Sequence, residues 1–272
     1  MLTMCRFAAL LLALALAPGG ARATDLPVDL ELVLAVDVSG SIDEEEAQLQ
    51  RQGYMAAIVD RDVVAAIRSG VLGRIALTYV EWSNAEMQTT VVGWRMIDGE
   101  ATAREFIAAL SAVPVARGRF TSISGAIDYS VPLFENNDFE GTRRVIDISG
   151  DGANNRGRSV TEARDEAVAR GITINGLPIV NDRPNFFGRP MPHLDLYYRD
   201  CVIGGPGAMY VIAKDFPDFA EAVRRKLLLE IANLSPAPEP IRPRIHLAAS
   251  ESDAPGCDAG EREWRGRFRN QF

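Results

Sequence analysis

Between residues 30 and 233, short apolar runs alternate with stretches of helical periodicity, and this alternation restricts the fold more than any other feature. The run at 32–36 (LVLAV) reads as a buried strand. The stretch 44–69, with apolar Leu49, Met55, Ile58, Val59, Val63, Ala66 and Ile67, reads as one long helix. Further strands are expected at 74–82 (RIALTYVEW), 144–149 (RVIDIS), 172–180 and 208–213, and helices at 99–111, 122–134, 161–170 and 216–233. MQTTVVGWRMI at 87–97 follows the strand at 74–82 after only a short turn, too soon for a crossover helix, so it is expected to pair antiparallel at a sheet edge. The expected architecture is α/β: a doubly wound, mostly parallel sheet with one antiparallel edge strand and helices on both faces.

The first 23 residues stand apart from this pattern. Arg6 precedes an apolar run at 7–17, Pro18-Gly19-Gly20 interrupts it, and Ala21-Arg22-Ala23 has the small-x-small form of a signal-peptidase site. The run falls short of the ~20 apolar residues that span a bilayer. A cleaved signal peptide (1–23) and an exported mature chain from Thr24, periplasmic or secreted and not inserted in a membrane, are therefore expected. Removing Arg6 and Arg22 takes the 29 basic residues to 27 against 37 acidic ones, a mature net charge of −10. That balance disfavours nucleic acid and anionic membrane as partners and suits a protein that holds cations.

Cleavage also removes Cys5 and leaves Cys201 and Cys257, an even pair that an oxidising compartment is expected to join, although sequence alone does not give the pairing. The domain is expected to occupy 24–234. Beyond it, SPAPEPIRPRI opens a Pro-rich linker and a C-terminal tail, 235–272. Trp264, Phe268 and Phe272 stand four apart, one face of a helix if the tail is helical, and a disordered end is the alternative. Segment 181–207 is long, aromatic and rich in Pro and Gly. Following a strand, it should emerge at the ligand edge, where Phe186, Phe187, Tyr197 and Tyr198 could shape partner choice. The other reading is that the two tyrosines sit in a short helix packed on the domain.

The chemistry concentrates where strands end. Ligands of open parallel sheets bind at the carboxyl ends of the strands. The first strand ends in Asp37-Val38-Ser39-Gly40-Ser41, the loop before the 122–134 helix holds Thr121, and the loop after RVIDIS holds Asp151 in SGDGANN. Asp37, Ser39, Ser41, Thr121 and Asp151 offer only hard oxygen donors, a set that Mg²⁺, Mn²⁺ or Ca²⁺ accepts, leaving a coordination position for a carboxylate from another molecule. Taken singly, each piece has a plainer use: Ser41-x-x-Glu44 as a capping box, Thr121 as a helix cap and Asp151-Gly152 as a turn. Their joint occurrence at the ends of the right strands favours a metal site. The acids at 43–46 fit the positive end of the helix dipole. Asp147, inside an apolar strand, is expected to pair with Arg143 or Arg144 and is left out of the site.

In this arrangement the chain resembles von Willebrand factor type A domains with a metal-ion-dependent adhesion site, over about 28–233, and within them an uncharacterised branch of exported bacterial proteins. The resemblance implies that Asp37, Ser39 and Ser41 ligate from a first loop, Thr121 from a second and Asp151 from a third. It further implies a divalent cation, usually Mg²⁺, that captures an Asp or Glu of a protein partner. Two departures stand out. Arg119-Phe120 precede Thr121 where the family often has glycines, which keeps both Thr121 and Ser122 in play, and Gly150-Asp151-Gly152 replaces the usual Thr-Asp-Gly.

Enzymatic readings lack ingredients. An aspartyl-phosphate phosphatase needs a second carboxylate two positions after Asp37, where Ser39 stands. No GxSxG occurs, and the only histidines are His193 and His246. The expectation is a non-enzymatic protein-binding module, with a periplasmic small-molecule receptor or a scaffold without a working metal site as alternatives.

Overall fold

A computed structural model describes residues 25–181, 190–232 and 254–269. The expected signal segment, the linker from 235, Phe186, Phe187, Phe272 and the side chain of Phe268 lie outside the described residues.

Five strands form the central sheet: β2 (Glu31–Asp37), β3 (Ile75–Trp82), β4 (Gln88–Ile97), β6 (Arg144–Gly150) and β7 (Ile172–Pro178). Their order is β4-β3-β2-β6-β7, all pairs parallel except β3 with β4. The antiparallel edge strand is where the short turn required it. A small parallel pair, β1 (Leu26–Val28) with β5 (Phe139–Gly141), was not anticipated, each strand being only three residues long.

The alternation of side chains along β2 divides the core into two layers. Leu32, Leu34 and Val36 pack with residues of α1 (Glu44–Ile58), α2 (Arg61–Arg68), α3 (Glu100–Ser111) and α7 (Phe216–Ile231). Val33 and Ala35 face the opposite layer with α4 (Ile123–Ser130), α5 (Val160–Ala169) and α6 (Leu194–Tyr197). Both faces are covered, as a parallel sheet of buried strands demands. On the first face α1 and α7 approach closely at Gly53, where a Cβ would come within 2.8 Å of Phe219.

Three expectations needed correction. The single helix over 44–69 is two, because Asp60 takes extended backbone angles and its carboxylate accepts from the amides of Asp62 (2.9 Å) and Val63 (3.2 Å). A strong cap overrode an apolar period that ran straight through it. Residues 208–213 run beside β7 but make only isolated bridges, Gly176 with Tyr210 and Ile179 with Ala213. The next donor in that ladder would be Pro178, which has no N–H. Asp147 pairs with neither Arg143 nor Arg144; its partner is Lys226 of α7, at 2.6 Å.

Lys226 is buried and also pairs with Glu230, whose Oε1 accepts from Asn175 Nδ2 at 2.8 Å. Asn175 Oδ1 in turn accepts the amide of Met209 at 2.9 Å. Two carboxylates share one ammonium in this layer. Burial, offset in part by Lys226, pushes the Asp147 carboxyl up to about 7.

Candidate metal centre

β2 lies where the chain, having built β3 and β4 on one side, crosses to build β6 and β7 on the other. Ligand crevices of open α/β sheets form at such a reversal. Asp37 closes β2, and Asp151 follows the last residue of the adjacent β6.

The first loop folds on its own aspartate: Asp37 Oδ1 accepts the Ser39 amide at 2.7 Å. This turns the chain so that the Ser39 and Ser41 hydroxyls lie 3.1 Å apart. Val38 is anchored on both sides, its N–H donating to Trp82 O (2.9 Å) and its carbonyl accepting from Gly118 (2.8 Å). The expected Ser41 capping box is not used. Asp43 caps α1, accepting the Glu46 amide at 2.9 Å while Glu46 reciprocates at 3.0 Å.

In the second loop the cap of α4 is Ser122, not Thr121. Ser122 Oγ accepts from Gly125 N at 3.1 Å and donates to Arg156 O at 3.0 Å. The Thr121 hydroxyl instead lies 3.3 Å from Ser39 Oγ, in the cluster. From the third loop, Asp151 Oδ1 accepts from Ser41 Oγ at 2.5 Å. Contacts between side chains thus join Ser39, Ser41, Thr121 and Asp151. Asp37 is tied in through its turn to Ser39 and through its electrostatic coupling to Asp151.

The electrostatics of this cluster are unfavourable as it stands. Asp37 is fully buried and Asp151 is 6% exposed. Among the described residues neither forms an ion pair, and Asp37 Oδ2 has no hydrogen-bond partner. Burial, and after it the nearby Asp151 carboxylate, holds the Asp37 carboxyl well above the usual range. Burial pushes Asp151 up to about 6, against the hydrogen bond from Ser41. A divalent cation would relieve both effects, which is the sense in which these residues fit one. Among the described residues there is no group of three or more His, Cys, Asp or Glu able to hold a metal. The donor set is two carboxylates and three hydroxyls, chemistry for a hard ion and not for thiolate or imidazole coordination.

Gly150, the last residue of β6, is a position where size matters: a Cβ would stand 2.9 Å from Asp37 Oδ2 and 3.0 Å from Tyr198 OH. This is a steric reason for glycine at this position. Tyr197 and Tyr198 are both buried, Tyr197 ending α6 and Tyr198 opening a π-helical turn (Tyr198–Val202). They therefore support the site from beneath and do not present a partner surface. Tyr198 OH points to Gly150 O at 3.5 Å. His193 is exposed at the start of α6.

Asn154 was missed by the sequence reading. It is fully buried; its Oδ1 accepts from Ser124 N (3.0 Å) and Ser124 Oγ (3.2 Å), and its N–H donates to Tyr197 OH (3.2 Å). The only signal was the ANN that follows Asp151-Gly152, and polar residues after a turn are too common to single out.

The fold is that seen in von Willebrand factor type A domains. The chain belongs to the family described as Protein of unknown function (DUF1194), whose model matches residues 27–235. Proteins of like fold include proximal thread matrix protein 1 from the mussel byssus, solved with a zinc-occupied MIDAS motif. It has 14% identity and a TM-score of 0.52, over 76% of this chain and 47% of that one. The pilus adhesin SpaC from Lactobacillus rhamnosus GG has 14% identity and a TM-score of 0.53, over 76% of this chain and 30% of that one. A von Willebrand factor type A protein from Catenulispora acidiphila has 11% identity and a TM-score of 0.53, over 75% and 43%. The chain therefore spans less than half the length of each. No curated protein matches it. Among the described residues no helix is long and apolar enough to cross a membrane.

Proposed function

We propose that the protein is an exported, non-enzymatic binding module in which Asp37, Ser39, Ser41, Thr121 and Asp151 hold a divalent cation, Mg²⁺ in preference to Mn²⁺ or Ca²⁺. The bound cation would supply an open coordination position for an Asp or Glu of a protein partner. Residues 24–234 carry this activity in the mature chain. The observation that carries the reading is the pair of buried carboxylates, Asp37 and Asp151, neither ion-paired among the described residues and one with an unpartnered oxygen. Burying such charges uncompensated is costly, and oxygen ligation of a cation is the compensation this donor set suits. The fold shared with an adhesin supports protein as the class of partner.

Isothermal titration of the mature chain with Mg²⁺, Mn²⁺ and Ca²⁺, beside an Asp37→Ala/Asp151→Ala variant, tests this. Saturable binding by the wild type that the variant loses is expected. Recovery of a partner from an extract in Mg²⁺ but not in EDTA would extend it to protein capture. Binding of metal by both chains alike would overturn it.

A further inference from the structure

The helix α8 (Ala259–Arg269), in what read as a tail, touches the loops of Thr121 and Asp151 together. Trp264 packs edge-on against Phe120, the neighbour of Thr121, with ring centres 5.0 Å apart. The guanidinium of Arg156, in the third loop, lies 4.5 Å from the centre of the Phe120 ring and 4.9 Å from that of Trp264. Glu261 Oε1 accepts from Asn154 Nδ2 at 2.7 Å. The helix backbone lies so close that a Cβ at Gly260 would fall 2.2 Å from Asn154 O.

Asn154 passes this contact inward. It holds Ser124 behind the second loop, while the next residue pairs directly with Thr121: Asn155 N donates to Thr121 O at 2.8 Å and Thr121 N donates to Asn155 Oδ1 at 3.1 Å. Tyr197 OH, which receives the Asn154 amide, donates to Cys257 O at 3.4 Å just ahead of α8. The Cys201–Cys257 disulfide ties the start of this segment to the domain.

We propose that α8 is a clamp on the loops of the candidate metal centre and that Glu261 is a positioning residue for it. By fixing Asn154, Glu261 sets the separation of Thr121 from Asp151 and hence the affinity for the cation. The clamp rests on the reading of the site given above. Coupling of this kind is reciprocal, so cation binding also tightens the docking of α8.

The test uses the mature chain as wild type, Glu261→Ala and Glu261→Gln. Mn²⁺ affinity is measured by calorimetry, and amide exchange at Ser124 and Asn155 is followed in the metal-free protein. Glu261→Ala is expected to weaken Mn²⁺ binding about tenfold, the effect of losing one hydrogen bond to a charged group. It should also speed exchange at both amides. Glu261→Gln keeps an acceptor oxygen at the same place and should restore affinity to within about twofold. Should Glu261→Ala fail to fold, Trp264→Leu reads the same clamp through its aromatic contact, weaker Mn²⁺ binding being expected. Wild-type affinity and exchange in the alanine variant, or equal losses in both Glu261 variants, overturn the clamp and leave the metal site standing. No Mn²⁺ binding by the wild type overturns both.

Discussion

Ser41 donates its hydroxyl proton to Asp151 across 2.5 Å, joining residues that stand 110 apart in the chain. The contact ties the first loop to the third and holds down the Asp151 pKa against burial. Replacing Ser41 by alanine removes one oxygen donor and this brace together. Mg²⁺ affinity, measured by titration calorimetry at pH 7.5, is expected to fall about tenfold or more. Carbon-13 NMR should show the Asp151 carboxyl titrating at a higher pH than in the wild type.

Asp37→Asn separates what the site does from what it costs. In the metal-free chain both carboxyls ionise at a higher pH folded than unfolded, so the folded form binds more protons between the two values. The contribution of this pair to stability is therefore full at low pH and declines as the pH rises from about 4 through about 6, the range of Asp151. Asparagine removes one of the facing charges and retains an acceptor for the Ser39 amide. The variant should be more stable than the wild type in EDTA at pH 8, and saturating Mg²⁺ should no longer raise its unfolding midpoint. Thermal scans at pH 5 and pH 8, with and without Mg²⁺, give all four values. A wild type that gains stability in EDTA as pH rises through 6 would contradict the electrostatics described.

The ammonium of Lys226 is a different kind of dependence. Lys226→Ala leaves Asp147 and Glu230 buried without the ammonium they share. Breaking such a group by removing one partner costs about 3–5 kcal/mol. Urea unfolding should report that loss, and adding Asp147→Asn and Glu230→Gln should recover part of it.

The disulfide closes a separation of 56 residues. Cross-linking a loop of this length stabilises by about 4 kcal/mol in the chain-entropy account. Cys201→Ser/Cys257→Ser should unfold at correspondingly lower denaturant, with the sheet intact by circular dichroism before the transition.

What could be read from the sequence was what local chemistry decides. The strand ends, the antiparallel edge and the gathering of Asp37, Ser39, Ser41, Thr121 and Asp151 at one edge followed from apolar periods and from where a parallel sheet puts its loops. The cap at Asp60 was also local, but it was hidden under a continuous apolar stripe. Other features were set by distance. Asp147 found an ammonium 79 positions away instead of a neighbouring guanidinium because α7 packs against the sheet there. Asn154 became a hub only because α6 and α8 converge on it, and nothing in a one-dimensional pattern announces a convergence.

Lys226 also limits what α7 can do as a moving part. A one-turn slide along the sheet would carry its ammonium about 5.4 Å away from Asp147. The same slide would drive Phe219 past the close contact at Gly53. Such a slide would leave Asp147 buried without its counter-ion, so the pair holds α7 in this register as a rivet holds a plate.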